Sequence, residues 1–324
     1  MTVPDITIDR SLIQTEAEML ARWGGYDKPL VSINCITFNH EKYIRDALDG
    51  FLIQKTDFPL EILIHDDAST DKTADIIREY EKRYPSIIKP IYQTVNQYSQ
   101  GKKCSLFNFE RAKGEYSAVC EGDDCWFDSL KLQRQIQAMV DYSDCEISFH
   151  SAVAKFEDGP RKNRKVSEHS DRQKIFSIEK VIDCGGSFMP TASIIVRNKC
   201  LDKIFDFFDK YNPPVGDSVI QILGALSGGA LFLPHCMVVY RMRVPGSWSD
   251  LNNNIKSKIN HNKSVNEYYK NILKVYSEYS KIIYRKMFYN NILLGRYLLR
   301  KMQVIDGLYC LLYSCKCLYL SLIK

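Results

Sequence analysis

The chain has 324 residues, of which 45% are hydrophobic and 26% are charged, a composition typical of a globular protein. Its net charge of +5 is unevenly distributed, because residues 252–324 carry a net +10 and residues 1–251 a net −5. Eleven irregularly spaced cysteines, without paired CxxC modules, argue against a zinc site and against a disulfide framework. We therefore expect reduced thiols and a cytoplasmic location, since residues 1–9 also lack the pattern of a secretory signal.

Strands and helices alternate along the first half of the chain. A polar lead-in, residues 1–28, contains a helical pattern at 11–23. Apolar, β-branched runs predict strands at 30–36, 60–65, 87–93, 116–120 and 146–156, and apolar residues at helical spacing predict helices at 41–54, 72–82, 106–113 and 130–142. This alternation indicates βαβ units, and therefore an α/β fold with a mostly parallel sheet flanked by helices.

The pattern is less regular after residue 156. A basic, polar stretch at 161–174 predicts a flexible loop, and apolar runs at 187–198 and 230–233 predict two further strands. From residue 255 the chain is predicted to be helical to its end. We therefore divide the chain into a helical lead-in (1–28), an α/β domain (29–250) and a basic, amphipathic helical region (251–324).

Two acidic clusters directly follow predicted strands. Asp66 and Asp67 end the strand at 60–65, whereas Glu121, Asp123 and Asp124 follow the strand at 116–120. Ligands bind beyond the carboxyl ends of strands in parallel sheets, so both clusters lie where a ligand site is expected. Capping of the next helix, recognition of a nucleotide, and binding of a divalent cation are each open for the first cluster.

The second cluster is harder to explain as a structural feature. Three carboxylates within four positions repel each other, and each raises the pKa of the others unless a cation or hydrogen-bond donors compensate. A divalent cation would compensate the charge and, by binding a diphosphate, would stabilise a departing nucleotide.

Three segments resemble one known family. Residues 32–39 (SINCITFN) resemble its opening motif "SVIIPTYN", residues 61–71 (EILIHDDASTD) resemble "EIIVVDDGSTD", and residues 114–126 (GEYSAVCEGDDCW) resemble "GEYI…LDSDDxW". The family is that of the inverting family-2 glycosyltransferases, of the type found in bacterial polysaccharide synthesis. The resemblance implies a GT-A fold, a nucleotide-sugar donor that is expected to be UDP-linked, and Mn²⁺ or Mg²⁺ as cofactor.

The resemblance also implies roles for individual residues. The donor site is expected to comprise Thr37, Phe38, Asn39, Asp66, Asp67, Glu121, Asp123 and Asp124. Asp67 is expected to contact the nucleoside, and Asp123 is expected to be the main metal ligand. Glu121 stands where the family has the first Asp of its DxD motif, and its longer side chain still reaches a ribose hydroxyl or bound water.

An inverting transfer needs a general base for the acceptor hydroxyl, and Asp217 is the candidate. It lies in residues 215–221 (VGDSVIQ), which resemble the segment in which the family keeps its base. The alternative is that Asp217 is only an N-cap, because Gly-Asp-Ser before an apolar run is a good helix start.

Residues 238–248 (VVYRMRVPGSW) resemble the "YRxHxGGxWS" stretch of the family. Arg241 or Arg243 is therefore expected to bind the donor diphosphate, although a salt bridge at the surface is an equally open interpretation. Trp126 and Trp248 are weaker candidates for stacking on the acceptor sugar, since a tryptophan is more often part of the core.

The basic C-terminal region indicates a polyanionic neighbour. Residues 307–323 are nearly apolar apart from Lys316, at the low edge of the length that spans a membrane. An amphipathic helix on the anionic inner face of the cell membrane fits the pattern better. Packing against the catalytic domain or a second subunit is the alternative, and nucleic-acid binding is disfavoured because no basic-aromatic motif is present.

The sequence thus predicts an enzyme that transfers a sugar from a nucleotide-sugar donor to a glycan or lipid-linked acceptor. One alternative is a sugar-nucleotide nucleotidylyltransferase, but the loop at residues 37–40 lacks the glycines expected of its activating loop. The other is a non-catalytic nucleotide- or carbohydrate-binding module, which the presence of both Asp123 and Asp217 disfavours.

Overall fold

A computed structural model describes residues 6–24, 28–157, 161–247, 250 and 254–323. These residues form one ten-stranded sheet flanked by helices, as predicted. The strands are β1 (Val31–Thr37), β2 (Leu60–Asp66), β3 (Ile88–Tyr92), β4 (Tyr116–Glu121), β5 (Cys125–Trp126), β6 (Ile147–Phe156), β7 (Arg164–Val166), β8 (Lys174–Phe176), β9 (Ile195–Arg197) and β10 (Ala230–Met242). Their order is β3-β2-β1-β4-β9-β6-β10-β5, with β7 paired to β6 and β8 paired to β10.

The helices cover both halves of the chain. They are α1 (Glu16–Arg22), α2 (Ile44–Leu52), α3 (Thr73–Arg83), α4 (Cys104–Arg111), α5 (Lys131–Asp141), α6 (Ile178–Cys184), α7 (Leu201–Tyr211), α8 (Gly216–Gly224), α9 (Ile255–Val275), α10 (Ser280–Arg300) and α11 (Val304–Ile323). Short 3-10 turns lie at Arg10–Leu12, Tyr98–Gln100, Gly186–Phe188, Thr191–Ser193, Asn198–Cys200 and Ser277–Tyr279.

The central strand β1 lies between β2 and β4 and is parallel to both. Most of its side chains are buried, as expected for a strand covered by helices on both faces. In this register Thr37 is opposite Asp66, and Ile36 is opposite Glu121. The ends of three strands therefore meet at one edge of the sheet, and both acidic clusters emerge there.

The second half of the sheet mixes directions. Strand β9 is antiparallel to both β4 and β6, whereas β10 is parallel to β6. The predicted strand at 230–233 was too short, because β10 continues to Met242 with register shifts between Leu233 and Val238. Strand β5 pairs with Val238 and Val239 of β10 and so brings the acidic turn of residues 122–124 beside β10.

Three other predicted elements differ from the structure. The helix expected at 11–23 is a 3-10 turn followed by the shorter α1, whose N-terminus Thr15 and Glu18 close with a capping box. The stretch 161–174, expected to be a loop, contains β7 and the first residue of β8. Residues 187–198, expected to be a strand, consist largely of 3-10 turns before β9.

The lead-in and the C-terminal helices both pack on the α/β domain. The Trp23 indole nitrogen donates a hydrogen bond to Thr56 at 3.1 Å, which fixes the lead-in. Tyr268 of α9 and Met287 of α10 belong to the same buried cluster as Ile220 of α8. The helical C-terminal extension is thus confirmed, whereas the boundaries after residues 28 and 250 remain predictions.

Candidate active site

The acidic turn after β4 approaches the end of β1 very closely. The main-chain nitrogen of Gly122 donates to the carbonyl oxygen of Ile36 at 2.8 Å. A Cβ atom added to Gly122 would lie 2.6 Å from Oγ1 of Thr37 and 3.0 Å from Nδ1 of His40. Only glycine fits this position, so the acidic turn packs directly against Thr37 and His40 at the end of β1.

Asp123 and Asp124 differ in their surroundings. Oδ1 of Asp124 accepts a hydrogen bond from the main-chain nitrogen of Arg241 at 2.8 Å, whereas its buried Oδ2 has no hydrogen-bond partner within the described residues. Burial, then Asp123 and Glu121, raise the pKa of Asp124 well above its usual value. Oδ2 of Asp123 lies 3.9 Å from Nε2 of His40.

Glu121 ends β4, and its charge interacts with that of Asp217 on α8. Burial, followed by the charges of Asp123 and Asp217, raises the pKa of Glu121 to about 8. This electrostatic influence shows that α8 carries Asp217 towards the same cluster, although 93 residues or more separate it from the turn in sequence. Of the six predicted site carboxylates, Glu121, Asp123, Asp124 and Asp217 therefore interact electrostatically, whereas Asp66 and Asp67 hold neighbouring loops.

Asp217 lies in the first turn of α8, and Val215, rather than Asp217, is the N-cap residue. Its Oδ1 accepts a hydrogen bond from the main-chain nitrogen of Ser218 at 2.7 Å, which fixes the carboxylate on a rigid element. Burial raises the pKa of Asp217. A Cβ atom on Gly186 would lie 3.4 Å from its Oδ2, so glycine there leaves space beside the carboxylate. The role of Asp217 as a base remains a prediction.

The acidic pair after β2 holds neighbouring loops. Asp66 accepts hydrogen bonds from the hydroxyl and main-chain nitrogen of Ser69. The carboxylate of Asp67 accepts main-chain hydrogen bonds from Gln97 at 2.6 Å and Tyr98 at 3.0 Å. Asp67 thereby anchors the loop after β3 at the sheet edge, while its contact with a nucleoside remains a prediction.

The loop after β1 (residues 38–40) contacts both acidic clusters. Asn39 has a positive φ of 55°, and its Oδ1 accepts a hydrogen bond from the main-chain nitrogen of Thr70 at 2.8 Å. Its own main-chain nitrogen donates to Oγ of Ser69 at 2.9 Å. Phe38, next to it, keeps 41% of its surface exposed and is available for contact with a ligand. Oγ1 of Thr37 is 3.1 Å from Nδ1 of His40.

The ligand atoms of His65, Asp67 and Cys104 all lie within 4.8 Å of one another. Two observations indicate that these three residues form a buried hydrogen-bonded cluster and not a metal site. Asp67 already accepts two main-chain hydrogen bonds, and its Oδ2 also accepts a hydrogen bond from the Cys104 thiol at 3.4 Å.

The two predicted arginines occupy different environments. Arg241 is buried, and its guanidinium contacts the carbonyl oxygen of Asp123 and the carboxylates of Asp46 and Glu157. These protein contacts favour a role in positioning the acidic turn over direct binding of diphosphate. Arg243 is half-buried and has a positive φ of 60°. A diphosphate contact by either arginine remains a prediction.

The prediction that Trp126 stacks on a sugar is wrong. Its side chain is completely buried, its ring packs edge-on against Phe51 at 4.8 Å, and its indole nitrogen donates to the carbonyl oxygen of Ala192. Trp126 is therefore a core residue. Trp248, the other predicted acceptor residue, lies outside the described residues.

Comparison with known proteins identifies the family. Residues 32–205, more than half of the chain, match the family described as Glycosyl transferase family 2. The chain belongs to this family. The resemblance detected in the three sequence motifs is thus confirmed.

Individual proteins also match parts of the chain, and some of them carry glycosyltransferase names. An uncharacterised protein of Mycobacterium tuberculosis is 36% identical over 218 residues, which are 67% of this chain and 60% of that protein. The putative teichuronic acid biosynthesis glycosyltransferase TuaG of Bacillus subtilis is 35% identical over 132 residues, or 41% of this chain and 50% of TuaG. The matched region thus spans about 60% of the length of the mycobacterial relative.

Solved structures confirm the GT-A fold. Residues 1–349 of Staphylococcus aureus TarS superpose with a TM-score of 0.62 at 15% identity, covering 88% of this chain and 80% of that structure. The mannosyltransferase PcManGT of Pyrobaculum calidifontis, solved with GDP-Man and Mn²⁺, gives a TM-score of 0.55 at 14% identity, covering 90% and 74%.

Tyr240 is a further candidate for the site, and it was not identified from the sequence as a site residue. It is half-buried, and its pKa is raised by burial and then by Asp124, Glu121, Asp123 and Asp217. The charges of these four carboxylates thus act on its phenol. The sequence pointed to its neighbour Arg241, but consecutive side chains of a strand point to opposite faces, so Arg241 gave no signal for Tyr240.

Proposed function

We propose that this protein is an inverting glycosyltransferase that moves a sugar from a UDP-linked donor to a hydroxyl of a glycan or lipid-linked acceptor. The observation that carries the proposal is the acidic turn of Glu121, Asp123 and Asp124 at the carboxyl edge of the sheet, together with the electrostatic interaction of Asp217 with Glu121. A related structure, TarS, was solved with UDP-GlcNAc, and the relative TuaG is named for teichuronic acid synthesis. Synthesis of a surface polysaccharide is the setting that we propose.

The residues present fit a divalent cation. Crowded carboxylates raise one another's pKa, and Oδ2 of Asp124 is buried without a hydrogen-bond partner within the described residues. We propose that Asp123 holds Mn²⁺ or Mg²⁺, with Glu121 and Asp124 supporting it, because hard cations prefer carboxylate oxygens. Such a cation, when bound, neutralises negative charge on the departing nucleoside diphosphate.

The remaining residues bind and orient the substrates. The loop held by Asp67, together with Thr37 and Phe38, is proposed to receive the nucleoside at the ends of β1 and β2. Asp217 takes the proton of the acceptor hydroxyl at its carboxylate, because an inverting transfer requires a base on the acceptor side. Its raised pKa makes it a stronger base than an exposed aspartate.

A donor panel tests the proposal. Purified protein with Mn²⁺ is expected to hydrolyse one nucleotide sugar slowly when no acceptor is present. Asp123→Ala is expected to abolish this activity, whereas Asp202→Ala, an exposed carboxylate at the start of α7, leaves it unchanged. Absence of both hydrolysis and binding across UDP-, GDP- and dTDP-linked sugars would overturn the proposal.

The proposal includes the place in the cell where the enzyme works. A lipid-linked acceptor and a cytoplasmic nucleotide-sugar donor meet at the inner face of the cell membrane. We propose that the enzyme works there as a peripheral protein.

A further inference from the structure

The last helix buries its small residues. In α11 the buried positions repeat at alternating intervals of three and four residues, the spacing of one continuous helix face. They are Gly307, Cys310, Ser314, Cys317 and Ser321. This face packs along α10, and a Cβ atom on Gly295 would lie 3.0 Å from the carbonyl oxygen of Gly307. The two helices therefore approach each other through glycine.

The large apolar residues of α11 lie on the opposite face and are exposed. Ile305 keeps 85% of its surface, Leu312 keeps 73%, Tyr319 keeps 63% and Leu322 keeps 75%. A surface helix in water has the reverse arrangement, with large apolar side chains inside and polar residues outside. Small residues between helices and large ones outside are typical of helices packed in lipid.

Basic residues accompany this apolar face. Four of them share the exposed side of α10: Lys281, Arg285, Arg296 and Arg300. Lys316 lies within the apolar face of α11, where its long stem can carry the ammonium group to a polar boundary. Residues 252–324 contain thirteen basic and three acidic residues, so a second copy on this surface would face like charge. Anionic lipid headgroups complement it.

Helices α10 and α11 form a helical hairpin, and its orientation follows from its contacts with the α/β domain. Lys286 of α10 donates to the carbonyl oxygen of Cys184 at 3.1 Å, and Arg285 pairs with Asp183 at 3.2 Å. Cys317 of α11 belongs to the buried cluster of the domain and α9. By length and composition alone α11 could cross a membrane. Its attachment along α10 instead keeps it beside the domain, parallel to a surface on which the domain rests.

We propose that the hairpin of α10 and α11 docks in the plane of an anionic bilayer. The row Ile305, Leu308, Leu312, Tyr319 and Leu322 enters the boundary between headgroups and acyl chains. Lys281, Arg296 and Arg300 of α10, together with Lys316, contact the headgroups. This proposal does not depend on the donor or on the transfer step.

Vesicle co-sedimentation of the full chain tests it. Wild-type protein is expected to bind phosphatidylcholine vesicles that contain about a third phosphatidylglycerol, and to bind more weakly at high salt. The triple variant Ile305→Ser, Leu312→Ser, Leu322→Ser is expected to lose about tenfold or more in affinity. A matched triple variant, Val140→Ser, Ile175→Ser, Val275→Ser, removes exposed apolar residues elsewhere and is expected to bind as wild type does.

Two further readouts make the outcome decisive. Circular dichroism and donor binding of the α11 variant are expected to match wild type, since its substitutions are exposed and far from the carboxylates. Equal vesicle binding by wild type and the α11 variant would overturn the proposal. So would a dimer in light scattering that the α11 substitutions dissociate without any vesicle binding, because the face would then belong to a second copy.

Discussion

The guanidinium of Arg241 donates a hydrogen bond to the carbonyl oxygen of Asp123 at 2.7 Å, while the main-chain nitrogen of Arg241 donates to Asp124 at 2.8 Å. Arg241 of β10 thus holds both Asp123 and Asp124 in place. Its guanidinium is fixed in turn by Asp46 of α2 and by Glu157. The geometry of the acidic turn therefore depends on residues far from it in sequence.

Replacement of Arg241 by Met is expected to destabilise the protein by about 1–3 kcal/mol, because it leaves the carbonyl oxygen of Asp123 without its donor and Glu157 without its cation, whereas Asp46 keeps its ion pair with Arg10. The free energy of unfolding in urea measures this. Arg45→Met is the matched control, since the exposed Arg45–Glu79 pair contributes about 0–1 kcal/mol. A variant of normal stability that fails to bind donor would instead assign Arg241 to the diphosphate.

Gly122→Ala is expected to impair donor binding without unfolding the domain. The new Cβ atom meets Oγ1 of Thr37 at 2.6 Å and its Cβ at 2.8 Å, so the acidic turn or the β1 loop must move. Overpacking of this kind costs about 1–3 kcal/mol. Isothermal titration with the preferred donor measures the loss of affinity. Gly24→Ala, whose Cβ meets nothing closer than 3.6 Å, is expected to bind donor normally, and equal affinity of both variants would contradict the argument.

The sheet edge could be predicted from sequence because it rests on local patterns. Strands of β-branched residues, each followed by acidic residues, placed Asp66 and Glu121 at the same edge, and the register of β1 confirms this. The length of β10 could not be predicted in the same way. Pro234 and His235 interrupt its apolar run, and the strand tolerates them only through register shifts against β6.

Side-chain surroundings depend on contacts that sequence spacing does not reveal. Trp126 was a candidate for sugar stacking, yet it fills a space beside α2, where a Cβ atom on Gly50 would lie 2.5 Å from its carbonyl oxygen. Arg241 resembled a diphosphate ligand, yet it lies among the carboxylates of Asp46 and Glu157. Each assignment needed the position of α2, which no local motif encodes.

The pH dependence of transfer is expected to report the raised pKa of Asp217. A general base acts only when ionised, so the rate is complete above its pKa and falls as the pH drops through it. Since burial raises this pKa, the acid limb of kcat/KM is expected above the ordinary aspartate value of 3.8. Donor affinity measured at each pH separates this limb from titration of the metal-binding carboxylates. A rate that stays constant down to about pH 4 would contradict the assignment.

Asp217→Asn isolates the transfer step from donor binding. The amide keeps the shape of the side chain but cannot accept the acceptor proton, so kcat is expected to fall by about a hundred- to ten-thousand-fold. The donor KM is expected to change little, since the donor contacts are proposed for Asp123 and for the loops that Asp66 and Asp67 hold. Asp209→Asn, an exposed aspartate on the preceding helix, serves as the control and should retain full activity. Steady-state kinetics with a natural acceptor measure both constants.

A lower thermal stability with an unchanged kcat would mean that Asp217 only supports the first turn of α8. The base would then have to be sought among the other carboxylates whose charges act on Tyr240.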